Sequence, residues 1–440
     1  MGERGAALLA LAAVVAAYVT AFAATFQYDD AHAVLADPAA RSWAAWAASL
    51  PAIRAATKLS YVASHALSPQ PWSYVLGSVL LHAASAVVLL ALARRWLRDF
   101  GLDARRAGIG ALIAALVFAL HPAQTEAVTY VSGRSVALAG FFSLASLLAW
   151  ELRREGGGRW TLAASLVAFA LAIAARETAV ALPFALLLVE AARGASWRDA
   201  LRRAGAHLAV LAVALAAIAL SPTYARLLRE SLATRVPLEN LRAQVDGVAY
   251  LVTHPLLTLR VNFDPDVAAA WPPDAGWGLA AIGLALAIAL GFATLRRLPW
   301  LGFGVLWFFV HLAPTNGPIA RYDLANDRQL YLALAGPALI AGFALARLAS
   351  ARARAVAAGA LCVALVTATL VRNTDYQSER DLWEATVRAS PHKSRPWNNL
   401  GWALQQAGDR DGARAAYARA LELDPANFRA RANLDALGGR

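Results

Sequence analysis

Apolar runs of about 15 to 21 residues recur along the chain near 6–26, 73–93, 107–121, 136–151, 160–175, 178–192, 205–221, 276–294, 299–314, 330–347 and 355–371. A helix satisfies all its own backbone polar groups, so runs of this kind can cross a bilayer, and the pattern predicts about eleven spans. Beyond residue 372 the apolar runs stop and short helical patterns with charged faces begin. The fold class read from this is all-α: a polytopic membrane helical bundle over 1–372, followed by a short water-facing helical module over 373–440.

The polar stretches between the runs alternate in character. Arginines crowd five connections: Arg94, Arg95, Arg98, Arg105 and Arg106; Arg153, Arg154 and Arg159; Arg193, Arg198, Arg202 and Arg203; Arg296 and Arg297; Arg347, Arg352 and Arg354. With a cytoplasmic N-terminus these all fall on the cytoplasmic side, as the positive-inside rule requires. The longer segments 27–72 and 222–275, the turn at Arg176, the loop 315–329 and the tail then lie outside. Arg226, Arg229, Arg235 and Arg242 place basic charge on that outer side, in a loop long enough to weigh little in the rule. Within it, 246–261 is read as an interfacial or re-entrant helix ending at 262–266, because a span there would invert all later loops.

Composition agrees with lipid as the main solvent: 59% hydrophobic residues and a mean hydropathy of +0.48, against about half apolar in soluble domains. All but two of the 41 basic residues, Lys58 and Lys393, are arginine, and they lie between apolar runs, which speaks for topology rather than nucleic acid. The lone cysteine, Cys362, excludes an internal disulfide and reads as a packing residue. The first run is longer than a signal-peptide core and lacks a cleavage pattern before Asp29, so it reads as a retained span. The expected localisation is integral to a membrane, a bacterial inner (cytoplasmic) one, with the elaborated loops and tail extracytoplasmic.

Several polar constellations punctuate the runs. Asp29 and Asp30 follow the first run; adjacent carboxylates repel and separate their proton affinities, which suits a general base beside an orienting acid, and equally a solvated loop start with Asp30 or Asp37 near a helix cap. His32 puts a third metal-ligating side chain in that loop, but nothing else calls for a metal and none is expected. The string from His121-Pro122 through Thr125-Glu126-Ala127-Val128 to Gly133-Arg134 sits at a span end, where Glu126 and Arg134 either serve a cavity or mark an interfacial helix. Arg176-Glu177 splits a long apolar stretch and reads as a structural ion pair at a hairpin tip. Arg321 and Arg328, in the loop after Pro314, either receive a phosphate or anchor the next span. His65, His82, His207, His254 and His311 read as packing histidines. No Gly-rich phosphate loop, HExxH or nucleophile elbow is present, which argues against ATP-driven transport, zinc proteolysis and serine hydrolysis.

In the tail, Trp397, Leu400, Gly401, Leu404, Ala413, Tyr417, Ala420 and Pro425 fit the tetratricopeptide template, with small residues where its two helices approach. Trp383 and Pro391 repeat its second half one period earlier, giving about one and a half repeats against the three or so needed for independent stability. The module is therefore expected to lean on the membrane domain or on a partner, with Trp397 and Trp402 as partner-binding candidates.

Taken in order, the Asp-Asp pair, the Arg54/Thr57/Ser60/Tyr61 stretch, Leu80-Leu81-His82, the His121 to Arg134 string, Arg176-Glu177, Arg328-Gln329-Leu330-Tyr331-Leu332 and the trailing repeat resemble the transmembrane-and-TPR protein O-mannosyltransferases of the GT-C superfamily. The chain departs from that pattern at Arg54-Ala55-Ala56-Thr57, at Ser135-Val136 after Gly-Arg, and at Ala175-Arg176-Glu177. The resemblance implies a GT-C-like membrane domain and inverting transfer of a mannose-like sugar from a polyprenyl-phosphate carrier to an acceptor, a protein Ser/Thr hydroxyl, on the extracytoplasmic face. It implies Asp29 as general base with Asp30 orienting it or binding the sugar, and Arg134, Arg321, Arg328, Glu126 and His121 around the sugar and lipid phosphate. No cofactor is implied beyond the lipid-linked donor. Two rival readings are a membrane scaffold recruiting partners through its repeat, and a lipid-linked-sugar flippase.

Overall fold

The computed structural model describes residues 2–267 and 273–438, and among these every regular element is helical. All eleven apolar runs form helix, but they are not eleven straight spans. Among the described residues, five helices are long and apolar enough to cross a membrane: Pro71–Asp99, Val131–Arg154, Trp197–Leu220, Ala275–Thr294 and Ala351–Thr374. Two more candidates are bent pairs, Ala104–Leu120 with Pro122–Val128 at 53° and Asp327–Ala333 with Ala335–Ala346 at 54°, which brings the number to seven. The remaining runs form shorter helices, Glu3–Ala17, Arg159–Ala175, Leu182–Ala192 and Pro299–Leu312, two of them continued or preceded by 3-10 turns. The difference from eleven lies in these four helices, of 11 to 17 residues, each shorter than a straight span needs.

The apolar windows of Trp197–Leu220, Ala275–Thr294 and Ala351–Thr374 are only 17%, 6% and 11% buried. Helices that are apolar all round yet packed so sparsely need lipid around them. Pro71–Asp99, more than half buried, forms the centre of the bundle and packs against the helices beginning at Glu3, Ala104 and Arg134. Glycines permit the closest approaches: a Cβ on Gly336 would meet the Gly304 carbonyl oxygen at 2.2 Å, and one on Gly342 the Gly110 carbonyl oxygen at 2.3 Å.

The arginine-rich connections gather at one end of the bundle. Arg94 pairs with Glu3, Arg95 with Glu155 at 2.8 Å, Arg193 with Glu151 at 3.0 Å, and Arg154 with both Glu151 and Glu190 at 3.3 Å. The doublet Asp29-Asp30, Glu126, Glu177 and Arg328 lie at the other end, as does the tail.

The tail is a stack of four helices, Glu379–Ala389, Ser394–Gln406, Arg410–Leu423 and Phe428–Gly438. A Cβ on Gly401 would sit 2.6 Å from the Tyr417 ring, and Ala413 and Ala420 are fully buried, so the small residues of the repeat allow the close helix approach they were read for. The module docks on the membrane domain through Asp264, whose buried carboxylate receives Lys393 Nζ at 2.5 Å and Arg395 Nε at 2.6 Å, while Arg395 reaches Asp323 at 2.6 Å. Ser390 bridges Asn262 Nδ2 at 2.7 Å and the Asp264 carbonyl at 2.8 Å. Replacing Asp264 by Ala leaves two cations without their shared anion. The expected cost is about 3 kcal/mol of docking energy, seen as faster protease cleavage between 373 and 393 with the membrane bundle intact.

Candidate active site

The chain leaves Glu3–Ala17 through a 3-10 turn and reaches Tyr28 in the left-handed region, at φ 46°. That conformation is costly for a bulky residue and is held here from three sides. The Tyr28 amide donates to Glu379 Oε1 at 2.7 Å, and its ring meets Phe263 and Trp383 edge-on. The turn sends the next two carboxylates in opposite directions. Asp30 is fully buried; its Oδ1 accepts from the Ser132 amide at 2.7 Å and from the Ser132 hydroxyl, and its Oδ2 from the Gln27 amide at 3.0 Å. Asp29 is exposed into a cavity, with its backbone amide donating to the Tyr130 hydroxyl at 3.1 Å. The doublet is thereby resolved into one clasped and one free acid.

Burial pushes the Asp30 carboxyl up to about 7, against the donated hydrogen bonds that favour its ionised form. A folded value above the unfolded one means stability that is full below the unfolded pKa and is lost as pH rises through about 7. Thermal midpoints of the wild type are therefore expected to fall by a few degrees between pH 5.5 and 8.5. In Asp30→Asn the part of that fall due to this group disappears; an identical slope would contradict the assignment.

The His121 to Arg134 string is a broken helix folded onto this loop. His121 Nδ1 accepts from the Ala123 amide at 3.2 Å at the head of a 3-10 turn, Pro122–Gln124, and one helical turn follows over Thr125–Val128. Thr129 Oγ1 donates to Asn373 Oδ1 at 2.6 Å, tying the string to the last long helix. A Cβ on Gly133 would lie 1.9 Å from the Glu126 carbonyl oxygen, so only glycine lets the second turn, Val131–Gly133, close against the first. The closure presents Ser132 to Asp30 and turns the Glu126 carboxylate toward Arg328. Glu126 Oε2 accepts from the Arg328 amide at 3.0 Å, and Oε1 lies 3.4 Å from Arg328 Nε.

Asp29, Glu126 and Arg328 thus line one cavity of about 810 Å³. Its far wall is the helical module and its docking loop, including Asp264, Arg395 and Asn399. Arg328 also borders a second, small cavity of about 40 Å³ between helices, lined among others by Arg176, His311 and Gln329. His311 Nε2 and both amide atoms of Gln329 are buried there without partners. Arg54, Arg176, Arg321 and Arg328 lie close enough to repel one another, with Glu177 among them. Burial, with Arg328 and Arg54 nearby, lowers Arg321 to about 10. Such a gathering of cations favours an anion.

Other sequence candidates lie elsewhere. Arg134 is buried away from the cavity, donating to Ser78 Oγ at 3.0 Å, the Ser60 carbonyl at 2.9 Å, Ser64 Oγ at 3.0 Å and the Tyr74 carbonyl, with Tyr61 and Tyr74 rings around it. Its guanidinium is saturated by the protein, and it holds the Ala55–Leu67 and Pro71–Asp99 helices together. His121 is buried and does not line the cavity. Glu177 pairs with Arg54 at 3.2 Å and accepts from the Tyr224 hydroxyl at 2.7 Å, whereas Arg176 donates to Ser135 Oγ at 2.8 Å; the adjacent residues are not each other's partners. Trp397 Nε1 donates to the Pro391 carbonyl at 3.0 Å and its ring packs on the core, and Trp402 is half exposed; neither lines the cavity, whose repeat wall includes Asn398, Asn399 and Asn427. His32 is exposed, and among the described residues no three His, Cys, Asp or Glu side chains are grouped to hold a metal ion. Sequence reasoning passed over Asp264, whose partners lie some 130 residues away, and the place of Arg54 and Arg176 in the cationic group.

Comparison with known proteins finds likeness over part of the chain. A tetratricopeptide repeat family model covers residues 394–427. Protein O-mannosyl-transferase TMTC2 of Mus musculus is 31% identical over 161 residues, 33% of this chain and 18% of the mouse protein. Protein O-mannosyl-transferase TMTC3 of Mus musculus is 39% identical over 98 residues, 22% of this chain and 10% of that protein. The peroxisomal targeting signal receptor of Saccharomyces cerevisiae is 36% identical over 74 residues, 17% of this chain. The chain spans less than a fifth of the length of these curated O-mannosyl-transferases. No solved structure matches. The family likeness read from the motifs is borne out: a membrane-helix chain ending in a tetratricopeptide repeat, similar to the TMTC-type protein O-mannosyl-transferases.

Proposed function

We propose that this chain is an inverting GT-C glycosyltransferase that moves a mannose-like sugar from a polyprenyl phosphate to a protein Ser or Thr hydroxyl. The observation that carries the reading is the meeting of Asp29, Glu126 and Arg328 in one cavity walled by the repeat module. In this reading the membrane domain, 1–372, holds the donor, the module, 373–440, receives the acceptor, and both face the extracytoplasmic side.

Asp29, the free acid of the doublet, takes the proton from the acceptor hydroxyl as its oxygen bonds to the anomeric carbon from the side opposite the phosphate. The bond from that carbon to the phosphate oxygen breaks, and the electron pair leaves on the polyprenyl phosphate. Arg328 and Arg321, with Arg176 behind them, stabilise the charge that grows there. Asp30 holds the turn that aims Asp29, and Glu126 orients Arg328.

The test is transfer by protein reconstituted in vesicles, with polyprenyl-phosphate mannose as donor and a Ser/Thr peptide as acceptor. The expected product carries the sugar in the anomeric configuration opposite to the donor's. Translocation of the donor without transfer would favour the flippase, and neither activity would favour the scaffold.

A further inference from the structure

A second large cavity lies at the arginine-rich end of the bundle, away from Asp29. It is a groove of about 920 Å³ between the Glu3–Ala17, Pro71–Asp99, Ala104–Leu120 and Ala351–Thr374 helices. Its length is apolar, with Leu9, Leu112 and Leu116 among its wall residues, and its lining carries five arginines, Arg4, Arg94, Arg95, Arg105 and Arg354, against one carboxylate, Glu3. Arg94 is neutralised by Glu3, Arg95 pairs with Glu155 at 2.8 Å, and Arg354 Nη1 donates to the Leu348 carbonyl at 2.9 Å. Among the described residues, Arg4 makes no hydrogen bond or ion pair, and Arg105 has only the exposed Asp103 carboxylate near its charge.

The groove is open rather than loosely packed. Gly108 and Gly359 line it, and a Cβ on either would meet nothing within 4 Å, whereas one on nearby Gly110, on the packed face, would meet the Gly342 carbonyl oxygen at 2.9 Å. An apolar groove inside a bilayer is filled by hydrocarbon, and an excess of guanidinium groups over carboxylates in its lining favours a phosphate.

We propose that this groove binds an anionic phospholipid, its phosphate among Arg4, Arg105 and Arg354 and an acyl chain over Gly108. The site is separate from the sugar-transfer reading and stands without it. Full-length protein in mild detergent is titrated with phosphatidylglycerol, phosphatidylcholine or inorganic phosphate, and bound lipid is read by native mass spectrometry alongside the thermal midpoint. Phosphatidylglycerol is expected to be retained at least about tenfold more tightly than phosphatidylcholine, with a higher midpoint. Combined Arg4→Gln, Arg105→Gln and Arg354→Gln should weaken its retention on the order of a hundredfold. Gly108→Phe, whose Cβ would meet no protein atom within 4 Å, places a ring in the groove and should do the same by exclusion. Equal retention of both lipids, unchanged phosphatidylglycerol retention in the Gly108→Phe protein, or equal protection by inorganic phosphate would each overturn the proposal.

Discussion

Asp29→Asn is expected to lower sugar transfer steeply in the vesicle assay while leaving membrane insertion and the thermal midpoint close to those of the wild type. The amide keeps the size of the carboxylate but cannot take the acceptor proton, so the expected loss is about 10²- to 10⁴-fold in kcat. Stability is spared because the side chain points into the cavity and the turn is held by its backbone amide on Tyr130 and by neighbouring Asp30. Asp30→Asn should behave differently. One amide nitrogen would face a backbone donor, Gln27 or Ser132, so the loss of transfer comes with a loosened loop and a lower midpoint. Transfer unchanged in the Asp29 variant would remove the assigned base.

Arg328→Met carries the second large effect, and here stability and chemistry fall together. Glu126 is almost fully buried, and without the guanidinium its carboxylate keeps the amide of residue 328 and the more distant charge of Arg372. Leaving a buried charge without its partner costs about 3 to 5 kcal/mol. The double variant Glu126→Gln with Arg328→Met removes both charges and should regain most of that loss, while transfer stays absent because the phosphate has lost its nearest cation. Thermal midpoints and transfer rates on the four proteins of the cycle separate the two roles. If the double variant recovered transfer as well as stability, Arg328 would be structural only.

Much of this was legible before any coordinates. The apolar runs gave helices because periodicity and length depend on local sequence, and the Gly401, Ala413 and Ala420 positions gave the close helix pair for the same reason. Span number was less legible: four of the eleven runs form helices of only 11 to 17 residues, and a 54° break at Leu334 interrupts another run, although all remain apolar. The site was legible as a set of motifs but not as a geometry. Nothing in Asp29-Asp30 says which acid is clasped; that depends on Ser132, about a hundred residues on, and on the left-handed Tyr28 braced by Glu379. Arg134 follows a motif glycine just as a ligand-binding arginine would, yet Ser60, Ser64 and Ser78 from two other helices surround it. Glu177 sits beside Arg176 in sequence and beside Arg54 in space. Pairings of this kind are tertiary, and spacing carries no record of them.

The most direct measurement is electron cryo-microscopy of the wild-type protein with a polyprenyl-phosphate sugar or its non-transferable analogue bound. The account predicts phosphate density within hydrogen-bond reach of Arg328, with the anomeric carbon lying between it and the Asp29 carboxylate. Density for the phosphate elsewhere, with the Asp29 cavity empty of sugar, would contradict it.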